Sequence, residues 1–438
     1  MNYDYLRVSA LMFLEFAVWG AWMPVLAMRL LGPMKLSGKQ TGWIYATFPL
    51  ASIFSPFASG YLADKYVNAE WIIMASHVAG AILMFVAAKQ TKFWGMFWTM
   101  LAYSVFFTAT LPLVNKVLYS HGDVAKLDTW VWLWAPVSWA LIGYFLTGMR
   151  QARRIGGDGP DSLYLAAFLS VVTALVCLIQ PATPPQLVVA TAGAEAGANP
   201  MMKALGMLGN PNYLIFMLVQ LAVCGTMQFY FLGTGQFMQD RGVRGKNVSA
   251  VMGMAQTVQA VATISLLGLF LGQWLLIVGI RTSSRAWFYD VGDIGYQWTF
   301  VVGVLCWSVL YAIYVLSKRA WPIMLIQAFH GLAYVFFMVA GQKFVGFVAP
   351  GEISGSALSL LAIATNGVGL FLGTQLAGFV MEKNSVGGKF QWPKIWAVPL
   401  VITLAGAIVI AVAFKAPSPK DFQKDKAPNE KAVAVASV

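Results

Sequence analysis

Apolar residues run along this chain in stretches of about 20, separated by short clusters of Gly, Pro and charged residues. A helix rises 1.5 Å per residue, so each stretch is long enough to cross a hydrocarbon core of ~30 Å. The pattern predicts twelve spans, near residues 6–29, 40–62, 70–89, 94–119, 129–149, 162–180, 212–238, 248–273, 298–317, 321–346, 354–381 and 393–415. Residues 181–210, rich in Ala, Gly and Pro, read as a linker that divides the spans six and six. The expected organisation is an N-terminal six-helix bundle (1–180), a cytoplasmic linker (181–211), a C-terminal six-helix bundle (212–415) and a polar, disordered tail (416–438). Residues 273–297 fit least well, because an apolar start gives way to RTSSRAWFYDVGDIG, too polar for lipid. A long loop with an interfacial aromatic patch is expected there.

Composition agrees with that pattern. Hydrophobic residues make up 59% of the chain, charged residues only 11%, and the mean hydropathy is +0.69. These values exclude a water-soluble enzyme, and the short alternating segments of a β-barrel are missing. Every backbone amide at membrane depth must then be satisfied within helices, which makes the fold class an all-α membrane protein. A net charge of +12 would suggest nucleic acid in a soluble protein. Here the bases are scattered over loops, and the one concentrated run, residues 415–431, reads as solvated or lipid-facing. No nucleic-acid partner is implied. Cys177, Cys224 and Cys306 lie in apolar runs without metal or redox spacing. Arg7 precedes a first stretch long enough to span and without a small-residue cleavage site, so it reads as a helix rather than a signal peptide. An even span count puts both termini on one side, and the 29 Lys+Arg fall slightly more on the side opposite the termini. The positive-inside rule therefore leans weakly against cytoplasmic termini.

Ionisable residues inside a span are costly and usually face a cavity or a partner. Glu15, in FLEFAVWGAW, is the one carboxylate placed near mid-membrane. Desolvation favours its neutral form, which suits a group that takes up and releases a proton. It also suits a permanently protonated Glu that bonds a neighbouring helix. His77 and His330 are candidates for proton relay, although a lone His in a helix is more often structural. Lys116 and Lys343 lie near helix ends, from which long stems snorkel to the headgroups.

The amides Asn115, Gln228, Gln256, Gln259 and Asn366 make a better binding site, since each offers donors and acceptors inside an apolar span. Gln256 and Gln259 are three apart and share a helix face. Such groups suit a neutral ligand with a flat ring and hydroxyls, or they simply join helices. Trp132 and Trp139, seven apart, are candidates to stack on a planar ring, with lipid-facing packing as the alternative; Trp130 fits an interfacial belt. Gly369, Gly373 and Gly378 read as sites of close helix approach. No Walker loop, zinc-ligand spacing, nucleophile elbow or second buried carboxylate to pair with Glu15 is present, so neither an enzyme nor a cofactor is expected.

The motif GYLADKY, residues 60–66, resembles the loop between spans two and three of the major facilitator superfamily. FLEFAVWGAW (13–22), FSPFASGYLADKYVNAEW (54–71), TLPLVNKVLY (110–119), FHGLAYVFFMVAGQKFV (329–345) and TNGVGLFLG (365–373) are similar to the nucleoside:proton symporter family within it. The resemblance implies two pseudo-symmetric six-helix bundles in the inner membrane, cytoplasmic termini and a nucleoside bound between the halves. It further implies that proton flow drives uptake. Carried over by position, it places Gln228, Gln256, Gln259, Tyr334 and Asn366 in the ligand site and Gly60, Asp64 and Lys65 in a gating loop. Asp64 would hold one closed state through a helix terminus or a basic partner.

The departures from the family pattern are specific. Its fifth-helix Arg falls at Trp132, its tenth-helix acid at Val335, and an acid and base farther on fall near Gly346 and Ser354. Conversely, Glu15 stands where the family commonly has Gln. The expectation is a monomeric transporter that moves a nucleoside or similar neutral ring-containing solute by alternating access, with Glu15 as the proton-coupling residue. The alternatives are an uncoupled facilitator, a porter of another small neutral solute, or a non-transporting receptor.

Overall fold

The apolar stretches fold as helices in the computed structural model, which describes residues 3–121, 128–185, 200–270, 295–417 and 419–422. The long helices are α1 (Tyr3–Trp22), α2 (Gly38–Lys65), α3 (Ala69–Lys89), α4 (Phe93–Ser120), α5 (Trp134–Ala152) and α6 (Asp161–Cys177). They continue with α7 (Pro211–Asp240), α8 (Val248–Phe270), α9 (Gly295–Leu316), α10 (Ala320–Val348), α11 (Ser354–Lys383) and α12 (Trp392–Ala413). Among the described residues, ten helical runs are long and apolar enough to cross a membrane. α6 is apolar but shorter, and α2 is long but more polar and carries Pro49 and Pro56. The fold class read from the sequence therefore holds, and most helix boundaries lie within a few residues of those expected; the first run breaks after Trp22 and resumes as a short helix, Leu26–Leu31.

Local chemistry sets the helix ends. Ser37 Oγ accepts from the Gln40 amide while Gln40 Oε1 accepts from the Ser37 amide, a capping box that starts α2. Asn210 accepts from the amides of Asn212 and Tyr213, and Pro211 stands where a missing N–H costs nothing, so α7 starts there. The buried Arg29 donates to the Ala88 and Gln90 carbonyls and satisfies the C-terminal end of α3. α11 and α12 are joined by a two-strand hairpin, Ser385–Val386 with Lys389–Phe390. Its turn is Gly387-Gly388, both at positive φ, the backbone a tight hairpin of this hand requires.

Packing separates the helices by sequence. α2 packs on α4, α4 on α3, α3 on α6, and α1 on both α5 and α6; later in the chain α9 packs on α12, α7 on α11 and α12, and α8 on α10. Contacts across the 181–210 stretch run mainly through α2 with α11 and α5 with α8. They are made by residues without bulk. A Cβ on Gly42 would lie 2.7 Å from the Thr374 carbonyl oxygen, and one on Gly143 would lie 2.7 Å from that of Ser249. Hydrogen bonds reinforce this end: the Lys39 amide donates to Glu382, Gln151 Nε2 to Asn247 Oδ1, and Arg150 to Ser249 Oγ. Because successive spans alternate in direction, these contacts all lie at the end of the bundle remote from the N-terminus of α1.

Large apolar side chains such as Val412 (79% exposed), Leu316 (75%) and Phe54 (70%) cover the outer surface, far more than a soluble protein presents and as a lipid-facing surface requires. The stretch expected to be a linker contains a short helix, Pro200–Gly206, and its start is pinned to α3, where the Thr183 amide donates to the buried Glu70. The tail begins with packed residues, since Pro419–Phe422 forms a 3-10 turn and Phe422 stands edge-on to Tyr213 at 5.6 Å. The rest of the tail and the loop expected over 273–294 lie outside the described residues; Gly295–Gln297 open α9.

Candidate functional site

α1 carries Glu15 and Trp19 one turn apart, and each meets a different set of partners. Glu15 is fully buried, with Oε2 2.8 Å from His77 Nε2 of α3 and Oε1 2.5 Å from Thr110 Oγ1 of α4. Nothing in the chain's pattern pairs these residues with Glu15, from which they lie 62 and 95 positions away. His77 is therefore not a lone histidine. His330 has a different setting: it accepts from Trp307 Nε1 through Nδ1 and stacks on Tyr230 with centroids 4.0 Å apart, which fixes its ring and its neutral tautomer.

Trp19 stacks on Phe48 at 4.6 Å and meets Trp139 edge-on at 5.5 Å. Trp139 in turn lies 6.2 Å from Phe231 of α7, so an aromatic chain crosses from the N-terminal helices to the C-terminal ones. A cleft between α1, α5 and α8 is lined by Gly20, Pro24, Trp139, Gly143, Met252 and Gln256. Gly20 makes room for the indole, because a Cβ there would lie 3.0 Å from Trp139 Cγ. Two residues expected in the site from separate halves, Trp139 and Gln256, thus line one cleft. Trp132 does not join it: half-exposed in the short helix Asp128–Trp132, it stands edge-on to Phe16 at 5.8 Å.

Among the described residues, several polar atoms near mid-span have no hydrogen-bond partner. They include both amide atoms of the fully buried Gln228, Gln259 Oε1, and the indole nitrogens of Trp19 and Trp139. Asn115 Oδ1 is likewise unpartnered, while its Nδ2 makes a long 3.4 Å bond to the Leu111 carbonyl. Leaving a buried amide unbonded costs about 1–3 kcal/mol, so such groups are the natural reading of a ligand surface. Tyr334 and Asn366 are half-buried, and each lies in a π-helical segment, Tyr334–Val339 of α10 and Ile363–Gly369 of α11. π-Segments of this kind are frequent at functional sites. They were not legible in the sequence, and neither was Trp19, whose motif was noted without assigning it a partner.

The loop motif adopts a simple geometry. Lys116 of α4 donates to the Ala63 carbonyl at 2.6 Å and pairs with Asp64 at 2.7 Å. This corrects the expectation that Lys116 snorkels to the headgroups: the ammonium caps the C-terminal end of α2 instead. With Asp64 60% exposed, the ion pair itself contributes little to stability. Lys65 lies over the Tyr61 ring at 4.6 Å, and Gly60 faces open space.

Comparison with known proteins places this geometry. A family model described as nucleoside H+ symporter matches residues 1–419. The chain is 26% identical to the nucleoside permease NupG of Escherichia coli K12 over 94% of this chain and 95% of the relative. It is 25% identical to the xanthosine permease of the same organism, over 94% and 96%. The crystal structure of the nucleoside transporter NupG aligns with a TM-score of 0.75 at 22% identity, covering 95% of this chain and 100% of that one. That likeness establishes the major facilitator architecture.

Proposed function

Since the chain belongs to the nucleoside H+ symporter family, we propose that this multi-pass membrane transporter carries a nucleoside, driven by protons, through rocking of residues 1–180 against 212–415. The observation that carries this reading is the cleft in which Trp139 and Gln256 meet across the two halves, with the unbonded amide of Gln228 on the neighbouring α7. An indole face stacks on a planar base, and amides pair with base edges and ribose hydroxyls. Gln259, Tyr334, Asn366 and Asn115 complete the polar lining, while Trp132 lies outside it against Phe16.

The charged contacts of the family pattern are replaced by Trp132 and Val335. Recognition then rests on stacking and neutral hydrogen bonds, which favours uncharged nucleosides over phosphorylated ones. The termini lie in the cytoplasm of an inner-membrane protein that acts as a monomer. In that orientation the end closed by α2–α11 and α5–α8 faces outward. The Gly60, Asp64 and Lys65 loop then lies inside, with Lys116 holding Asp64 to α2 in this state.

Thermal shift of the purified protein against a panel of nucleosides and free bases tests the site. A ligand that binds the native state raises the melting temperature. Gln228→Leu fills the same space without donor or acceptor, and it is expected to weaken the responding nucleoside by about 1–3 kcal/mol, roughly 5- to 150-fold. An unchanged affinity in Gln228→Leu would remove that residue from the site. Stabilisation by nucleotides but not nucleosides would contradict the neutral-ligand reading.

A further inference from the structure

The hydroxyl of Thr110 has one proton and two acceptor-type neighbours, Glu15 Oε1 at 2.5 Å and the Phe107 carbonyl oxygen at 2.6 Å. It cannot donate to both. The carbonyl has no proton to give, so a consistent arrangement has Thr110 donating to Phe107 and accepting from Glu15, which requires a proton on Oε1. Glu15 Oε2, 2.8 Å from His77 Nε2, then accepts from a neutral imidazole. We propose that Glu15, Thr110 and His77 form a site that binds one dissociable proton inside the N-terminal helices, apart from the nucleoside cleft. This rests on the reading of a proton-driven transporter and supplies the place where the driving proton is held.

The count of protons separates the alternatives. With the proton on Glu15, all three side chains are bonded and no net charge is buried. Moving the same proton to His77 creates an ion pair with both partners out of water, whose desolvation offsets its attraction. Removing it altogether leaves a buried anion, and the Thr110 hydroxyl must rotate away from Phe107 to meet the carboxylate. Release therefore breaks one O–H bond, passes the proton to water and turns one hydroxyl. No other group changes its bonding.

The surroundings allow this. Glu15 is 0% and His77 2% exposed, so in this conformation the proton is sealed in. Exchange with water then requires the other conformation, as obligatory coupling demands. Ionisable groups within electrostatic reach are Tyr103 of α4 and Cys177 of α6, with Glu70 of α3 acting on Cys177. α5, which also packs on α1, carries Tyr144 and Arg150 toward the remote end. Among the described residues, no basic side chain other than His77 bonds the carboxyl.

Infrared difference spectroscopy of the full-length purified protein, without substrate, reads the proton directly. A protonated-carboxyl C=O band is expected in the wild type and absent in Glu15→Gln. Its persistence in Glu15→Gln, or its absence from the wild type at every pH, overturns the proposal. Should Glu15→Gln fail to fold, Thr110→Val provides the same reading: the band moves to higher frequency as Oε1–H loses its acceptor, and an unmoved band overturns the proposal. Thr110→Ser is expected to restore the wild-type position.

In proteoliposomes, Glu15→Gln is expected to lose accumulation driven by a pH gradient while nucleoside exchange without a gradient continues. Gradient-driven accumulation by Glu15→Gln would refute the site. If the wild type moves no nucleoside, the transport reading fails, and the infrared result still decides the proton site.

Discussion

Arg150→Ala is expected to lower stability by about 3–5 kcal/mol, because it removes one member of a buried ion pair and leaves the other uncompensated. The Arg150 side chain is fully buried, its Nε donates to Asp161 at 2.5 Å, and Nη1 donates to Ser249 Oγ at 2.9 Å. Asp161 lies in the first turn of α6, where the helix dipole also favours its charge, and its side chain is only 13% exposed. Replacing both members by neutral residues removes the stranded charge, so Arg150→Ala with Asp161→Asn is expected to recover most of the loss. Thermal unfolding of the four proteins in a double-mutant cycle measures the coupling. A double variant no better than Arg150→Ala would show that the loss is one of packing. The contact with Ser249 gives the same residue a second role, since it joins α5 to α8 at the closed end. Arg150→Ala should accordingly shift the population toward the conformation in which that end is open.

Gly373→Val is expected to cost about 1–3 kcal/mol or more and to weaken nucleoside binding with it. A Cβ on Gly373 would lie within van der Waals overlap of the Gly225 carbonyl oxygen of α7, and the three atoms nearest to it are all backbone. No side chain there can move aside, so α7 and α11 must separate. These two helices carry Gln228 and Asn366, and a shift between them misplaces both. Gly148, exposed on α5 with nothing near its would-be Cβ, provides the control: Gly148→Val should fold and bind as the wild type does. Equal loss in the two variants would mean that helix propensity, not the close approach, sets the cost.

The helices were legible because the bilayer imposes a length and a composition on each of them, and neither depends on which helix packs on which. Glu15 was legible for a related reason: a carboxyl at mid-span is costly wherever its neighbours are. What the sequence could not carry was pairing. His77 and Thr110 reach Glu15 across 62 and 95 positions, so the residue that stood out as solitary is the centre of a bonded cluster. Lys116 shows the same limit, because its distance from the helix end suggested the headgroups while Asp64 and the Ala63 carbonyl lie closer. The π-segments around Tyr334 and Asn366 carry no periodicity that sets them apart from the α-helix on either side. Gln256 was legible as an amide inside an apolar span, and geometry then joined it to Trp139.

Uptake of a labelled nucleoside into proteoliposomes that contain the purified wild-type protein, with and without an inwardly directed proton gradient, tests the central claim most directly. The account predicts accumulation above the external concentration with the gradient, and equilibration without it. Equal, non-concentrative entry in both cases would contradict proton coupling, and no entry of any nucleoside would contradict the proposed substrate.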